Sequence, residues 1–183
     1  MTNGTKSSGP LADYCFERVT DIRPEWLGEI GIGGLLLDVD NAVTRWERET
    51  VEPAELAWLR EIRQAGLRCR LLSNGLSQKR ARVERQTGIP QVGGFVVKPL
   101  LAAFRRGLRE LELKARQVMM IGDIVITDIW PANRAGIWTC LVDPLSPIDF
   151  PGTKVWRLME RQFQWRRTLL PERDFRPAES REP

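Results

Sequence analysis

The stretch from Gly33 to Glu49, GGLLLDVDNAVTRWERE, sets the architecture of the chain. Leu35, Leu36 and Leu37 form a short continuous apolar run behind two glycines, which is the pattern of a strand buried on both faces. The run ends in two carboxylates, Asp38 and Asp40, separated by one residue. A buried strand gains nothing from ending in uncompensated charge. The pair is therefore either a solvated turn or a pair of acids held at a strand end for chemistry.

On both sides of this stretch, short apolar runs alternate with helical patterns. LRCRLLSNG, GGFVVKP, RQVMMIGD and IWTCLVDP read as four further strands. EPAELAWLREIRQAG reads as a helix with Pro53 in its first turn, Leu56, Leu59 and Ile62 on one face, and Gly66 as its stop. SQKRARVERQTG reads as a charged helix from Ser77 to Gly88, and PLLAAFRRGLRELEL as an amphipathic one carrying Leu101, Phe104, Leu108 and Leu111. TDIWPANRAG reads as a short helix, and DIRPEWLGEIGIGG as a short helix and a loop that feed the first strand. Such alternation predicts a mainly parallel sheet with helices on both faces, and in such sheets the ligand site lies beyond the carboxyl ends of the strands.

The residues just beyond the strands form a pattern. The first strand ends in Asp38 and Asp40, the second in Ser73 and Asn74, the third in Lys98, and the fourth in Gly122 and Asp123, with Asp128 close behind. Each has an ordinary reading by itself: a solvated turn, turn chemistry at Ser73-Asn74-Gly75, a surface lysine before a helix, a helix N-cap at Asp128. Their recurrence at four successive strand ends favours one site. The chemistry this set supports is phosphoryl transfer. Mg²⁺ takes hard oxygen ligands such as Asp38 and Asp123, with Asp128 nearby. A carboxylate can attack phosphorus to form an aspartyl-phosphate, and the acid two residues on points the same way and can protonate the leaving oxygen. Ser73 and Asn74 can hold phosphoryl oxygens, and Lys98 can neutralise the attacked phosphate.

Composition narrows the alternatives. The chain has 183 residues, is 42% hydrophobic and 28% charged, and carries a net charge of +4, so one soluble domain with a weak preference for anionic partners is expected. It has no histidine, which removes Ser-His triads, histidine bases and histidine-ligated metals. Cys15, Cys69 and Cys140 are far apart and odd in number, consistent with reduced fillers in a cytoplasmic protein. The opening residues lack the apolar core of a signal peptide, and no apolar span is long enough to cross a membrane. Gly31, Gly33 and Gly34 precede a strand instead of coming after one, so they do not make a dinucleotide loop, and there is no P-loop. An EF-hand begun at Asp38 would need a ligand at Ala42 and a glycine at Val43. A receiver module would have no use for Asp123 and Asp128 after the lysine.

The order D-x-D-N, S-N, K-P and G-D-x4-D resembles the haloacid dehalogenase superfamily, and more narrowly its subfamily IIIA, the YqeG-type phosphatases related to phosphatidylglycerophosphate phosphatases. LLLDVDNAVTRWE, LLSNG, VVKPLLAAFRRGL, MMIGDIVITDIWPANRAGIWTCLV and the basic WRLMERQFQWRRTLL carry the likeness, which spans roughly residues 13 to 167. The resemblance implies a Rossmannoid three-layer α/β/α sandwich on a five-stranded sheet. It implies Asp38 as nucleophile and Mg²⁺ ligand, and Asp40 as general acid/base that also gives its backbone carbonyl to the metal. Ser73, with Asn74 beside it, would bind the phosphoryl group, Lys98 would neutralise it, and Asp123 would ligate Mg²⁺. Asp128 would ligate or orient through water. Where the family usually has Thr this chain has Ala42, and where it often has Gln this chain has Ile124. Loss of the hydroxyl at 42 is expected to loosen the loop that positions Asp40, which leaves a weakened or non-catalytic protein as an alternative.

The intervals from Asp38 to Ser73, Ser73 to Lys98 and Lys98 to Asp123 each have room for one helix and the next strand, so no cap domain is expected. An open site suits a substrate whose body stays outside. The expected substrate is phosphatidylglycerophosphate, yielding phosphatidylglycerol, with a small soluble phosphate ester as the alternative and no nucleic acid. Residues 1–12 are expected to be disordered, 13–170 to form one domain, and 171–183 to be a flexible tail. Within the domain, residues 154–170 read either as an interfacial helix drawn to anionic lipid at the inner face of the membrane or as a packed helix with a solvated basic face.

Overall fold

The computed structural model describes residues 9–74, 77–94 and 97–146. Its five strands are β1 (Tyr14–Phe16), β2 (Gly34–Leu37), β3 (Arg68–Leu71), β4 (Val118–Gly122) and β5 (Trp138–Val142). Its helices are α1 (Pro24–Glu29), α2 (Pro53–Gln64), α3 (Ser77–Thr87), α4 (Leu101–Leu111) and α5 (Trp130–Arg134), the last preceded by a π-helical turn at Val125–Ile129. The strands form one sheet in the order β1-β5-β4-β2-β3, and every pairing is parallel.

β2 and β4 are central and wholly buried because both faces are covered. Side chains alternate across the sheet. Leu35, Leu37, Met119 and Ile121 face a core shared with Leu27, Trp58, Leu59, Ile62 and Val83 of α1, α2 and α3. Leu36, Val118 and Met120 face the opposite core, with Ala103, Phe104, Leu111 and Ala132 of α4 and α5. This is the three-layer sandwich expected from the alternation. Among the described residues, helices alone fill the intervals between the site-bearing strands, and there is no cap.

The membership of the sheet differs from the expectation in one strand. The expected strand at GGFVVKP is absent among its described residues. The chain instead touches β3 at a single bridge, Leu71 to Gln91, through Leu71 N–H to Pro90 O and Val92 N–H to Leu71 O. It then turns away at Gly93 and Gly94, where the Glu110 carboxylate takes the Gly93 N–H and Gly94 adopts a φ of 72°. The fifth strand is Tyr14–Phe16, which pairs with β5; three residues are too few to show a period. The basic segment 154–170 and the tail 171–183 lie outside the described residues, as do residues 1–8. No helix among the described residues is long and apolar enough to cross a membrane.

Gly107 explains how closely α4 can lie on β2: a Cβ there would meet Leu36 Cδ2 at 2.7 Å. Gly107→Ala is therefore expected to destabilise by about 1–3 kcal/mol through overpacking, against alanine's better helix propensity. In a Leu36→Ala background the same change should cost less, because the clashing methyls are gone. Urea midpoints of the four proteins of this cycle check the coupling, and strict additivity would contradict it.

Candidate active site

The site grows from the carboxyl ends of the central strands. Asp38 comes directly after β2, extends the ladder through its N–H to Ile121 O at 2.9 Å, and is 4% exposed. Its Oδ1 accepts the Val39 N–H at 2.7 Å. Asp123 comes directly after β4 and is fully buried. Asp128 sits in the π-helical turn, with Oδ2 accepting the Ile124 N–H at 3.1 Å and Oδ1 accepting from Lys98 Nζ at 2.7 Å. Gly122 permits that inward fold, since a Cβ there would lie 2.5 Å from Asp128 Oδ2. The Lys98 ammonium lies 2.7 Å from Asp38 Oδ1 as well, and so bridges two carboxylates.

One oxygen each from Asp38, Asp123 and Asp128 falls within 4.8 Å of the others. Three buried carboxylates against one ammonium leave an excess of negative charge among hard oxygen donors, a donor set that fits Mg²⁺. The electrostatics agree. Burial holds the Asp38 carboxyl well above the ordinary carboxylate range; Lys98 pulls it down, but Asp128, Asp123 and Asp40 push it up further. Burial works against the Lys98 charge, yet Asp128 and Asp38 outweigh it and hold that group above the usual lysine value.

Asp40 and Ser73 meet on the same edge, with Ser73 Oγ donating to Asp40 Oδ2 at 3.2 Å. Asn74 is spent on the Lys98 backbone in both directions: Nδ2 donates to Lys98 O at 2.8 Å, and its Oδ1 accepts the Lys98 N–H at 2.7 Å. The structure thus gathers all seven residues singled out from sequence, in two adjoining groups joined through Lys98, Asn74 and the neighbouring Ser73.

The loop that carries Asp40 does not depend on a hydroxyl at position 42. Ala42 is buried in the core, and the turn is closed by Asn41 N–H to Thr44 O at 2.7 Å, Thr44 N–H to Val39 O at 3.0 Å and Trp46 N–H to Asn41 Oδ1 at 3.1 Å. Asn41 holds a φ of 61°, a conformation asparagine tolerates better than most. At Ile124 it is the backbone N–H that serves the site. One residue escaped the sequence pattern: Lys79 of α3, 8% exposed, whose Nζ lies 2.6 Å from Asp40 Oδ1. Its only sequence signal was a place in the first turn of a charged helix just after Ser73 and Asn74.

A raised Asp38 pKa has a definite sign for stability. The folded state binds this proton more tightly than the unfolded chain, so stability is lost as pH rises from the ordinary carboxylate value of 3.8 through the raised one. Asn mimics the protonated carboxyl. Asp38→Asn is expected to be more stable than the parent at pH 8 in EDTA, with the gap closing towards pH 4. Thermal unfolding across that range checks it; a gap independent of pH would contradict the burial argument.

A family model for haloacid dehalogenase-like hydrolases matches residues 11–136. The chain is 32% identical to the probable phosphatase YqeG of Bacillus subtilis over 155 residues, which cover 83% of this chain and 88% of that protein. It is 30% identical to the probable mitochondrial phosphatidylglycerophosphatase of Schizosaccharomyces pombe over 60% of this chain and 58% of that one. It is also 30% identical to the glyceraldehyde 3-phosphate phosphatase of Methanocaldococcus jannaschii, over 48% of this chain and 42% of that one. A matched family model across most of the folded core, with the YqeG likeness running nearly end to end, makes the chain a member of the haloacid dehalogenase-like hydrolases, as one of the YqeG-type phosphatases.

Proposed function

We propose that the protein is a Mg²⁺-dependent phosphomonoester hydrolase that works through an aspartyl-phosphate on Asp38. The observation that carries this reading is the buried Lys98 ammonium shared by Asp38 and Asp128, with Asp123 beside them and Asp40 on the same sheet edge. Asp38 Oδ attacks phosphorus, and the ester P–O bond breaks as the leaving oxygen takes a proton from Asp40. Water then attacks the same phosphorus, gives its proton to Asp40, and releases inorganic phosphate and free Asp38. Ser73 Oγ holds a phosphoryl oxygen, and Lys98 offsets charge on the transferring group. Asn74 serves by fixing the Lys98 backbone.

Asp38, Asp123 and the Asp40 backbone carbonyl would hold Mg²⁺, with Asp128, whose two oxygens are already engaged, contributing directly or through water. Bound there, Mg²⁺ supplies charge neutralisation that lets Asp38 ionise and phosphate approach.

For the substrate we infer phosphatidylglycerophosphate, hydrolysed to phosphatidylglycerol. Support comes from the S. pombe relative's name and from the uncapped site. It comes also from Leu100 and Trp130, exposed apolar side chains 59% and 40% accessible that stand two residues beyond Lys98 and Asp128 in the chain. In this reading residues 13–170 act as one unit in the cytoplasm, in keeping with three free cysteines, and the basic segment 154–170 meets the inner face of the membrane. The M. jannaschii relative's name favours the alternative, a small soluble ester.

Phosphate release from phosphatidylglycerophosphate in mixed micelles, with Mg²⁺ or EDTA and beside a panel of soluble phosphomonoesters, tests both levels. Metal-dependent release from the lipid far above the panel is expected, and it should fall by at least about 10³-fold in Asp38→Asn. Release from soluble esters alone would discard the lipid and keep the chemistry. Substantial Mg²⁺-dependent turnover by Asp38→Asn would refute the nucleophile.

A further inference from the structure

We propose that Lys79 is a positioning residue for Asp40 and decides which oxygen of that carboxyl faces the phosphoryl group. The inference rests on the phosphatase reading and deepens it. Lys79 lies in the first turn of α3 and is buried, which a lysine tolerates only when its ammonium is well partnered. Nζ donates to Arg45 O and to Trp46 O, each at 2.9 Å, and sits 2.6 Å from Asp40 Oδ1 in a close charge pair. Three oxygens from one loop thus fix a side chain that is otherwise among the most flexible.

The consequence falls on Asp40. With Oδ1 turned to Lys79, the other oxygen, Oδ2, is the one 3.2 Å from Ser73 Oγ. Ser73 is the hydroxyl assigned to phosphoryl oxygens, so Oδ2 is the atom placed to hand its proton to the leaving group. A carboxyl without that pin can present either oxygen or neither, and small misplacements are costly in a transition state.

Lys79 also belongs to a stripe. Arg82 and Gln86 come after it at helical spacing on the same face of α3. Arg82 pairs with Glu49, and Gln86 Oε1 accepts the Val51 N–H at 3.0 Å. The charged helix therefore straps down the loop between β2 and α2. Of the three, Lys79 alone contacts Asp40.

The chemistry supplies a discriminating test. An aryl leaving group such as p-nitrophenolate departs without a proton, whereas an alkoxide needs one. The value of kcat/KM reports steps through release of the alcohol, so the full chain with Mg²⁺ should be compared on p-nitrophenyl phosphate and glycerol 3-phosphate. Lys79→Met is expected to lose about tenfold or more on the alkyl ester beyond its loss on the aryl ester, a fraction of the 10²–10⁴ that general acid catalysis contributes. Lys79→Arg should recover most of the alkyl activity. Lys79→Gln, which keeps donors for the two carbonyls, carries the comparison if the methionine variant does not fold. Hydrogen exchange at residues 45–47 should rise in Lys79→Met. Equal losses on both esters would leave Lys79 a strap and nothing more, and overturn the proposal, as would no loss on either. A parent chain without Asp38-dependent turnover overturns the phosphatase reading and this inference together. An Asp40→Asn variant that separates the two esters beside a Lys79→Met variant that does not overturns this inference alone.

Discussion

The ammonium of Lys98, held 2.7 Å from both Asp38 and Asp128, is the contact on which the architecture converges. It joins the end of β2, the segment before α4 and the π-helical turn after β4. Buried ion pairs cost heavily unless their remaining polar atoms are satisfied, and backbone groups around this one meet part of that demand. Val39 N–H serves Asp38, Ile124 N–H serves Asp128, and Asn74 fixes the Lys98 backbone. Removing the lysine would leave the buried carboxylates without their counter-charge. Burial, and after it the excess of acid over base in the same assembly, raises Asp38, and the acid cluster makes a place for a divalent cation. Stability is thus given up locally where the proposed reaction takes place.

Parallel pairing is what brings these groups together. Register alone puts Leu37 beside Ile121 and Leu71, so the residues just past each strand emerge on one edge. The apolar strands anchor the acids, and Gly122 makes room for Asp128 to fold back between them.

That logic explains what was legible in sequence. Asp38, Asp40, Ser73 and Asp123 were visible because each comes after an apolar strand, and a parallel sheet converts position in sequence into position at the edge. Lys98 reaches that edge without a strand of its own, its backbone held by Asn74, and Asp128 reaches it through the π-helical turn after β4. β1 was not visible, since YCF is too short for a period and its strand character comes from pairing with β5. GGFVVKP looked like a strand by propensity, but Gly93 and Gly94 let the chain leave β3 after one bridge. Lys79 was hidden for a different reason. Its partners, Asp40 and the carbonyls of Arg45 and Trp46, lie far away in sequence, and a lysine in a charged helix reads as solvated until the fold places a loop against it. At Ala42 the lost hydroxyl was expected to loosen the loop that positions Asp40; in the structure Asn41 and Thr44 close that turn through backbone and side-chain bonds.

Every role proposed for this site depends on phosphorus becoming bonded to Asp38 during turnover. The bond can be trapped by quenching the Asp40→Asn variant during turnover of p-nitrophenyl phosphate, reducing with borohydride, and mapping the digest by mass spectrometry. An acyl phosphate is reduced to the alcohol, so homoserine is expected in place of aspartate at residue 38 and nowhere else, dependent on substrate and Mg²⁺. Reduction at another carboxylate, or a residue 38 unchanged while phosphate is released, would contradict it.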